Sequence, residues 1–164
     1  MTTPMAYTIR SAVLADIPAM GALLTALNRF EGHEVITDED ALAFALFAEG
    51  SEVDLQALVA EDADREILGT LLYYPGYDTL SATVGYHLAD IVVGEAHRRR
   101  GVGRAMIEAL CALAMREDKR WVSLAVLQKN LAAQAFYKRL GMTTVPITFM
   151  AMGATTIQTL VSKG

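Results

Sequence analysis

The sequence predicts one α/β domain of the mixed-sheet, α+β kind, and three observations carry that reading. Apolar β-prone runs and stretches of helical periodicity are interleaved along the chain. The interleaving keeps no strict strand–helix alternation, so a purely parallel sheet is not expected. The length, 164 residues of which 53% are hydrophobic, suits a single core that needs neither metal nor disulfide, and residues 1–164 are read as one domain.

Tyr7 to Arg10 reads as the first strand. Asp16 is placed to cap a helix with Pro18 in its first turn, where a missing N–H is harmless, and Ile17, Met20, Leu23, Leu24 and Leu27 recur at helical spacing. Thr37, with Asp40 three residues on, resembles a capping box and opens a second helix through Leu42, Ala45 and Leu46. Leu55 to Ala60 and Ile67 to Tyr74 form a hairpin around the polar stretch Glu61 to Glu66, and Val84 to Val93 is the next strand. Beyond Gly94 the period changes. Val102, Met106, Leu110 and Leu113 mark a helix, with Arg116, Lys119 and Arg120 near its negative end. Trp121 to Val126 is a strand, Ala132 to Leu140 a helix stopped by Gly141, and Val145 to Met152 a last strand. Ala154 to Val161 fits a short helix or a short strand.

Several function classes are excluded early. The single cysteine forbids an intrachain disulfide framework, and Cys111 and the eight methionines read as core packing. No residues stand at metal-ligand spacing, so no metal is expected. Leu140 to Ser162 carries no Asp, Glu, Lys or Arg, yet Gly141, Pro146, Gly153 and six threonines interrupt it, so no membrane partner is expected. Met1 to Arg10 lacks the basic-then-apolar order of a leader, which points to the cytoplasm. The aromatics do not interleave with a basic stripe, and with a pI near 5.1 nucleic acid is not expected as a partner.

Charge is unevenly spread. Glu31 to Glu66 holds twelve acidic residues against one basic residue, Arg65, and favours cations. Arg98, Arg99, Arg100 and Arg104 fall within seven positions around Gly101, Val102 and Gly103, between a strand and a helix. Helix-start amides lack internal partners and carry about half a positive charge, so a phosphate set against them is stabilised. A glycine-eased turn with solvated arginines is the alternative. A Walker nucleotide loop is absent, and Met106 stands where a dinucleotide fingerprint needs Gly or Ala.

Arg98 to Gly103 resembles the R/Q-x-x-G-x-G/A signature of the GNAT N-acetyltransferases, and Asn130-x-x-Ala133-x-x-Phe136-Tyr137-x-x-x-Gly141-Met142 resembles the element that follows the next strand there. The likeness covers about Tyr7 to Met152. Asn28-Arg29-Phe30-Glu31, Tyr86 to Asp90 and Phe136 to Gly141 are similar to the diamine (spermidine/spermine) acetyltransferase-like branch. The resemblance implies a mostly antiparallel sheet whose middle strands splay to admit the pantetheine arm. It further implies acetyl-CoA as co-substrate, bound by Ile91, Val92, Val93, Arg98, Arg99, Arg100, Gly101, Val102, Gly103, Arg104, Asn130, Phe136 and Tyr137.

Acetyl transfer from a thioester to an amine needs a neutral amine, a stabilised carbonyl oxyanion and a protonated leaving thiolate. The resemblance gives Tyr137 the last task, since a phenol of ordinary pKa about 10 can protonate a thiolate of about 8.5. It gives the oxyanion to a strand amide, expected at Val92. Glu31, Glu34, Asp78 and Asp90 are candidates for holding a small cationic amine, with His33 and His87 as proton relays. Relatives commonly carry Glu before the strand Asp. Ala89 stands there in this sequence, so the resemblance assigns no proton acceptor. An acyl-CoA-binding sensor, or acetylation of protein N-termini or antibiotics, are the alternatives. Edge strands and the apolar C-terminal third make a homodimer the expected assembly.

Overall fold

The computed structural model describes residues 6–162. Met1 to Met5, half of the stretch read for a leader, and Lys163 and Gly164, at the end of the expected domain, lie outside them. The chain divides into two compact units between Leu127 and Gln128.

The first unit is built on a five-stranded sheet. Its strands are β1 (Tyr7–Ser11), β2 (Gln56–Asp62), β3 (Ile67–Asp78), β4 (Thr83–Val93) and β5 (Val122–Leu124), in spatial order β1-β2-β3-β4-β5. Pairing is antiparallel up to β4 and parallel between β4 and β5. Its helices are α1 (Ile17–Glu31), α2 (Glu39–Phe47) and α3 (Val102–Arg116). The mixed sheet flanked by helices is the predicted fold class.

Alternation along the strands sorts the core into two layers. Ala57, Val59, Leu72 and Val92 pack with Ile17, Met20 and Leu24 of α1 and Leu42 of α2. On the other face a Cβ added to Gly69 would meet Met106 of α3 at 3.1 Å, and Val102, Met106, Ile107, Leu110 and Ala114 are the buried positions of that helix. Each fully buried Leu or Met on these faces contributes about 1.5–3 kcal/mol.

Several sequence expectations change at element ends. Asp16 stands before α1 but makes no cap bond to it. Its carboxylate instead accepts from Val13 N–H at 2.8 Å and from both terminal nitrogens of Arg10 at 2.6 and 2.9 Å, while Arg10 also donates twice to Glu61. A buried carboxylate takes the guanidinium within reach in preference to weaker helix amides. Arg10 thereby ties β1 to β2 and to the start of α1. It holds the Asp16 carboxyl below its ordinary range, chiefly through that hydrogen bond. The pair's contribution is complete above the unfolded-chain value of about 3.9 and is lost as pH falls through the lower folded value. Asp16→Ala is expected to cost about 2 kcal/mol in urea unfolding at pH 7, and progressively less as pH falls below the unfolded-chain value of about 3.9.

The second helix is capped by Asp38, which accepts from Ala41 N–H at 3.0 Å, and not by the Thr37–Asp40 pair; Thr37 N–H donates to Thr25 Oγ1. Cys111 is exposed, because the apolar stripe of α3 is narrower than its composition implies. Met20 and Met106 fill the core, whereas Met115, Met150 and Met152 are exposed.

The second unit holds α4 (Leu131–Arg139) and α5 (Ala154–Val161), so the tail is helical. The expected last strand, Val145 to Met152, is not formed: these residues are exposed and irregular. β-propensity expresses fit to neighbouring strands, and no strand pairs with this stretch among the described residues. Among the described residues no helix is long and apolar enough to cross a membrane.

Candidate active site

β4 organises the site in the first unit. Gly94 N–H donates to Leu68 O at 2.9 Å, and Val93 pairs with Gly69, Val92 with Thr70 and Asp90 with Leu72. In an antiparallel ladder bonded and non-bonded pairs alternate. Val92 and Asp90 therefore direct their amides at β3, and Ile91 and Val93 direct theirs at the opposite edge. The parallel ladder to β5 ends at Leu88 and Leu124, so among the described residues no strand pairs with those two amides. A stretch of β4 left unpaired on that edge fits the splay implied by the resemblance, with one correction. The amide at the gap belongs to Ile91 or Val93, while that of Val92, the expected oxyanion donor, is committed to β3.

A bulge sets which side chains share a face. Leu72 and Tyr73 are adjacent, but their partners are Asp90 and Leu88, so Ala89 is an extra residue. In such a bulge both residues on the longer strand lean to the side of the residue they oppose. His87, Ala89, Asp90 and Val92 are thus gathered on the face covered by α1. Burial, and then Glu31 at the end of α1, push the Asp90 carboxyl above its ordinary range. Burial pushes the His87 imidazole below 6.5, leaving it neutral at pH 7, with Nδ1 3.0 Å from Ser123 Oγ.

The arginine-rich loop follows β4. A short 3-10 turn, Glu95–His97, leads into the loop, and Arg98 Nε donates to Val93 O at 3.1 Å, pinning the arginine to the end of β4. Arg98, Arg99, Arg100 and Arg104 are exposed, and Arg104 also pairs with Glu108 at 2.7 Å. Gly101 caps α3 in the left-handed region, with φ of 84°. A side chain is strained there, and the glycine lets the chain turn so that the amides of Val102, Gly103 and Arg104 begin α3 without intrahelical acceptors. Val102 itself is buried and anchors the turn.

A cavity of about 390 Å³ lies between α1 and the end of β4. It is lined by Leu23, Ala26 and Phe30 of α1 and by Val92, Val93, Gly94, Glu95 and Arg98. Glu95 and Arg98 are its charged lining residues. Glu31 follows the lining residue Phe30 in sequence, and Asp90 lies two residues before the lining residue Val92 on the same face.

The structure does not bring every candidate here. Asp78 lies at the tip of the β3–β4 hairpin, where its carboxylate accepts from Ser81 and from Leu80 N–H, chiefly the Ser81 bond holding it below its ordinary range. At ~3.3 Å per residue it is roughly 20 Å along the sheet from Asp90. Glu34 and His33 are exposed in the chain between α1 and α2. Tyr86 donates to Glu117 and Tyr73 to Gln56, and burial raises both phenols, Tyr73 to about 12. Neither is available as an acid.

In the second unit, Asn130 Oδ1 accepts from Ala133 N–H at 3.1 Å and caps α4. Tyr137 and Phe136 are half-buried with ring centroids 5.3 Å apart, and Gly141, at φ of 93°, ends the helix as its sequence position foretold.

The acetyltransferase (GNAT) family matches residues 22–142. The chain is similar to a thialysine N-epsilon-acetyltransferase of Mus musculus, 33% identical over 142 residues, covering 81% of this chain and 82% of that protein. It is also similar to an L-ornithine N5-acetyltransferase of Arabidopsis thaliana, 30% identical over 115 residues, which are 63% of this chain but only 49% of that protein. Among solved structures, an integron cassette protein from the mobile metagenome of V. cholerae superposes with a TM-score of 0.79 over 96% of this chain and 98% of that one, at 18% identity.

Proposed function

The chain belongs to the GNAT acetyltransferase family, and from that premise we propose that it transfers the acetyl group of acetyl-CoA to a primary amine of a small cationic substrate, polyamine-like or amino-acid-like, in the cytoplasm. The observation that carries this reading is the succession along and beyond β4: the carboxylate of Asp90, the outward amides of Ile91 and Val93, and then the arginine loop whose amides open α3. A donor with an anionic tail and an acceptor with a cationic head fit it in one orientation. The thialysine- and ornithine-acetylating relatives, named for amine substrates, support the same class.

Acetyl-CoA supplies an activated acyl group, and the chain supplies its surroundings. The amides of Val102, Gly103 and Arg104, with the four arginines, take the pyrophosphate. The outward amides of Ile91 and Val93 hold the pantetheine and the carbonyl oxygen, as a strand edge holds an added strand. Asn130 and Phe136 border the coenzyme, and Tyr137 gives its proton to the departing thiolate. Asp90 and Glu31 recruit the ammonium, and Asp90, its carboxyl raised, accepts the proton directly or through neutral His87. The uncharged, exposed stretch Val145 to Met152 favours a homodimer, which sedimentation would reveal.

Thiol release followed across spermidine, putrescine, lysine analogues, aminoglycosides and peptides tests the activity. Cationic small amines are expected to lead, and silence across all amines alongside intact acetyl-CoA binding would favour the sensor. The carboxylates make a sharper prediction. Asp90→Asn and Glu31→Gln are expected to weaken cationic amines about tenfold or more relative to a neutral one. kcat/KM of the wild type falls as pH drops through the raised Asp90 value. Glu31→Gln removes one of the two causes of that elevation, so it moves this acidic limb to lower pH. Equal losses on neutral and charged amines would refute charge recognition.

A further inference from the structure

Gly76 and Gly85 sit directly opposite each other on β3 and β4, and the Trp121 indole lies across both. A Cβ built on Gly85 would fall 2.0 Å from Trp121 Cδ2, and one on Gly76 would fall 2.9 Å from Cη2. No side chain fits between ring and backbone. The main chain is fastened at the same level, Tyr86 N–H donating to Trp121 O at 2.9 Å and Arg120 N–H to Val84 O at 2.8 Å. Trp121 Nε1 is buried with no hydrogen-bond partner among the described residues. That is a costly arrangement for a ring that serves only as filler.

From this juxtaposition we infer that Trp121, seated on the Gly76–Gly85 floor, is a positioning residue that sets the angle at which β5 leaves β4. It thereby sets the width of the gap faced by the Ile91 and Val93 amides. The inference rests on the proposed acetyl-CoA site and deepens it. β5 holds β4 through only three residue pairs, ending at Leu88 and Leu124, so the ladder is too short to fix its own direction. The rigid contact is the ring on bare backbone. From Trp121 to Ala125 is about 13 Å of extended chain, at ~3.3 Å per residue, so a tilt of about 5° at the indole moves the far end by about 1 Å. A misplacement of about 1 Å around reacting groups is enough to cost ~10²-fold.

The graded clash supplies the test. Gly76→Ala and Gly85→Ala are expected to raise the acetyl-CoA Kd in calorimetry in that order, Gly85→Ala by about tenfold or more. Gly85→Ala should also lower kcat, because the acyl carbonyl is displaced along with the arm. Trp121→Phe should retain most of the affinity and Trp121→Ala should lose it. In the double variant Gly85→Ala, Trp121→Ala nothing is left to clash, so its Kd should equal that of Trp121→Ala instead of combining both losses. A purely structural tryptophan would lower Tm across the series and leave Kd unmoved, and that result overturns the inference. Additive losses in the double variant overturn it too. If Gly85→Ala does not fold, Gly76→Ala with Trp121→Phe decides by the same criterion. Failure of the wild type to bind acetyl-CoA would overturn the site itself, an outcome distinguishable from unchanged Kd in the variants.

Discussion

Tyr137→Phe is expected to lower kcat about 100-fold or more while leaving the Kd for acetyl-CoA within about twofold. The change removes one hydroxyl and keeps the ring that packs beside Phe136. What is lost is a proton donor to the departing sulfur. A thiolate leaving unprotonated near neutral pH is disfavoured, and the deficit should grow as pH rises and solvent protons become scarcer. The other buried phenols cannot compensate. Tyr73 titrates at about 12 and is bonded to Gln56, and Tyr86 is bonded to Glu117. Single-turnover thiol release from pH 6 to 9 provides the check. Wild-type turnover throughout that range would remove the role from Tyr137 and leave the sensor reading stronger.

Gly101→Val is expected to raise the KM for acetyl-CoA by at least about tenfold and to cost about 1–3 kcal/mol of stability. Gly101 holds φ of 84°, a region where a β-branched residue is strained. A valine there has two outcomes, both harmful to the anion end. Either the turn relaxes and withdraws the Val102 and Gly103 amides, or it holds and projects methyl groups where the pyrophosphate belongs. Gly101→Ala should fall between, since its Cβ would meet only Tyr7 Oη, at an ordinary 3.5 Å. Calorimetry with acetyl-CoA and a melting curve on each variant separate binding from stability. Unchanged affinity in the valine variant would displace the loop from the site.

These predictions draw unequally on sequence. The loop from Arg98 to Arg104 and the element from Asn130 to Gly141 were legible because glycines, caps and helix starts are local devices: residue identity at fixed spacing determines the backbone. Gly141 takes the left-handed conformation its place at a helix end implied, and Gly101 takes it as well. The bulge at Ala89 was not legible. It depends on how β3 and β4 register against each other, and it moves the free amides from Val92 to Ile91 and Val93. For the same reason Asp78 was grouped with Asp90, although a hairpin's length separates them. Asp16 was read as a cap because its position is one, and only the nearness of Arg10 across the fold decides otherwise. Val145 to Met152 has the composition of a strand, but composition cannot supply the neighbour that a strand requires. The Trp121 floor left a faint trace in the isolated glycines at 76 and 85, a pattern that signals close approach without saying of what.

The opposite charges of the arginine loop and of the Asp90 and Glu31 carboxylates bear on how a turnover finishes. On the proposed reading the acceptor nitrogen arrives as a cation and departs as an uncharged amide, so the reaction itself removes one of the charges that drew the substrate to Asp90 and Glu31. Self-ejection of this kind predicts weak inhibition by acetylated product. On the same reading spent coenzyme keeps its phosphates and its hold on the arginines, so its release is expected to be the slow event of each cycle.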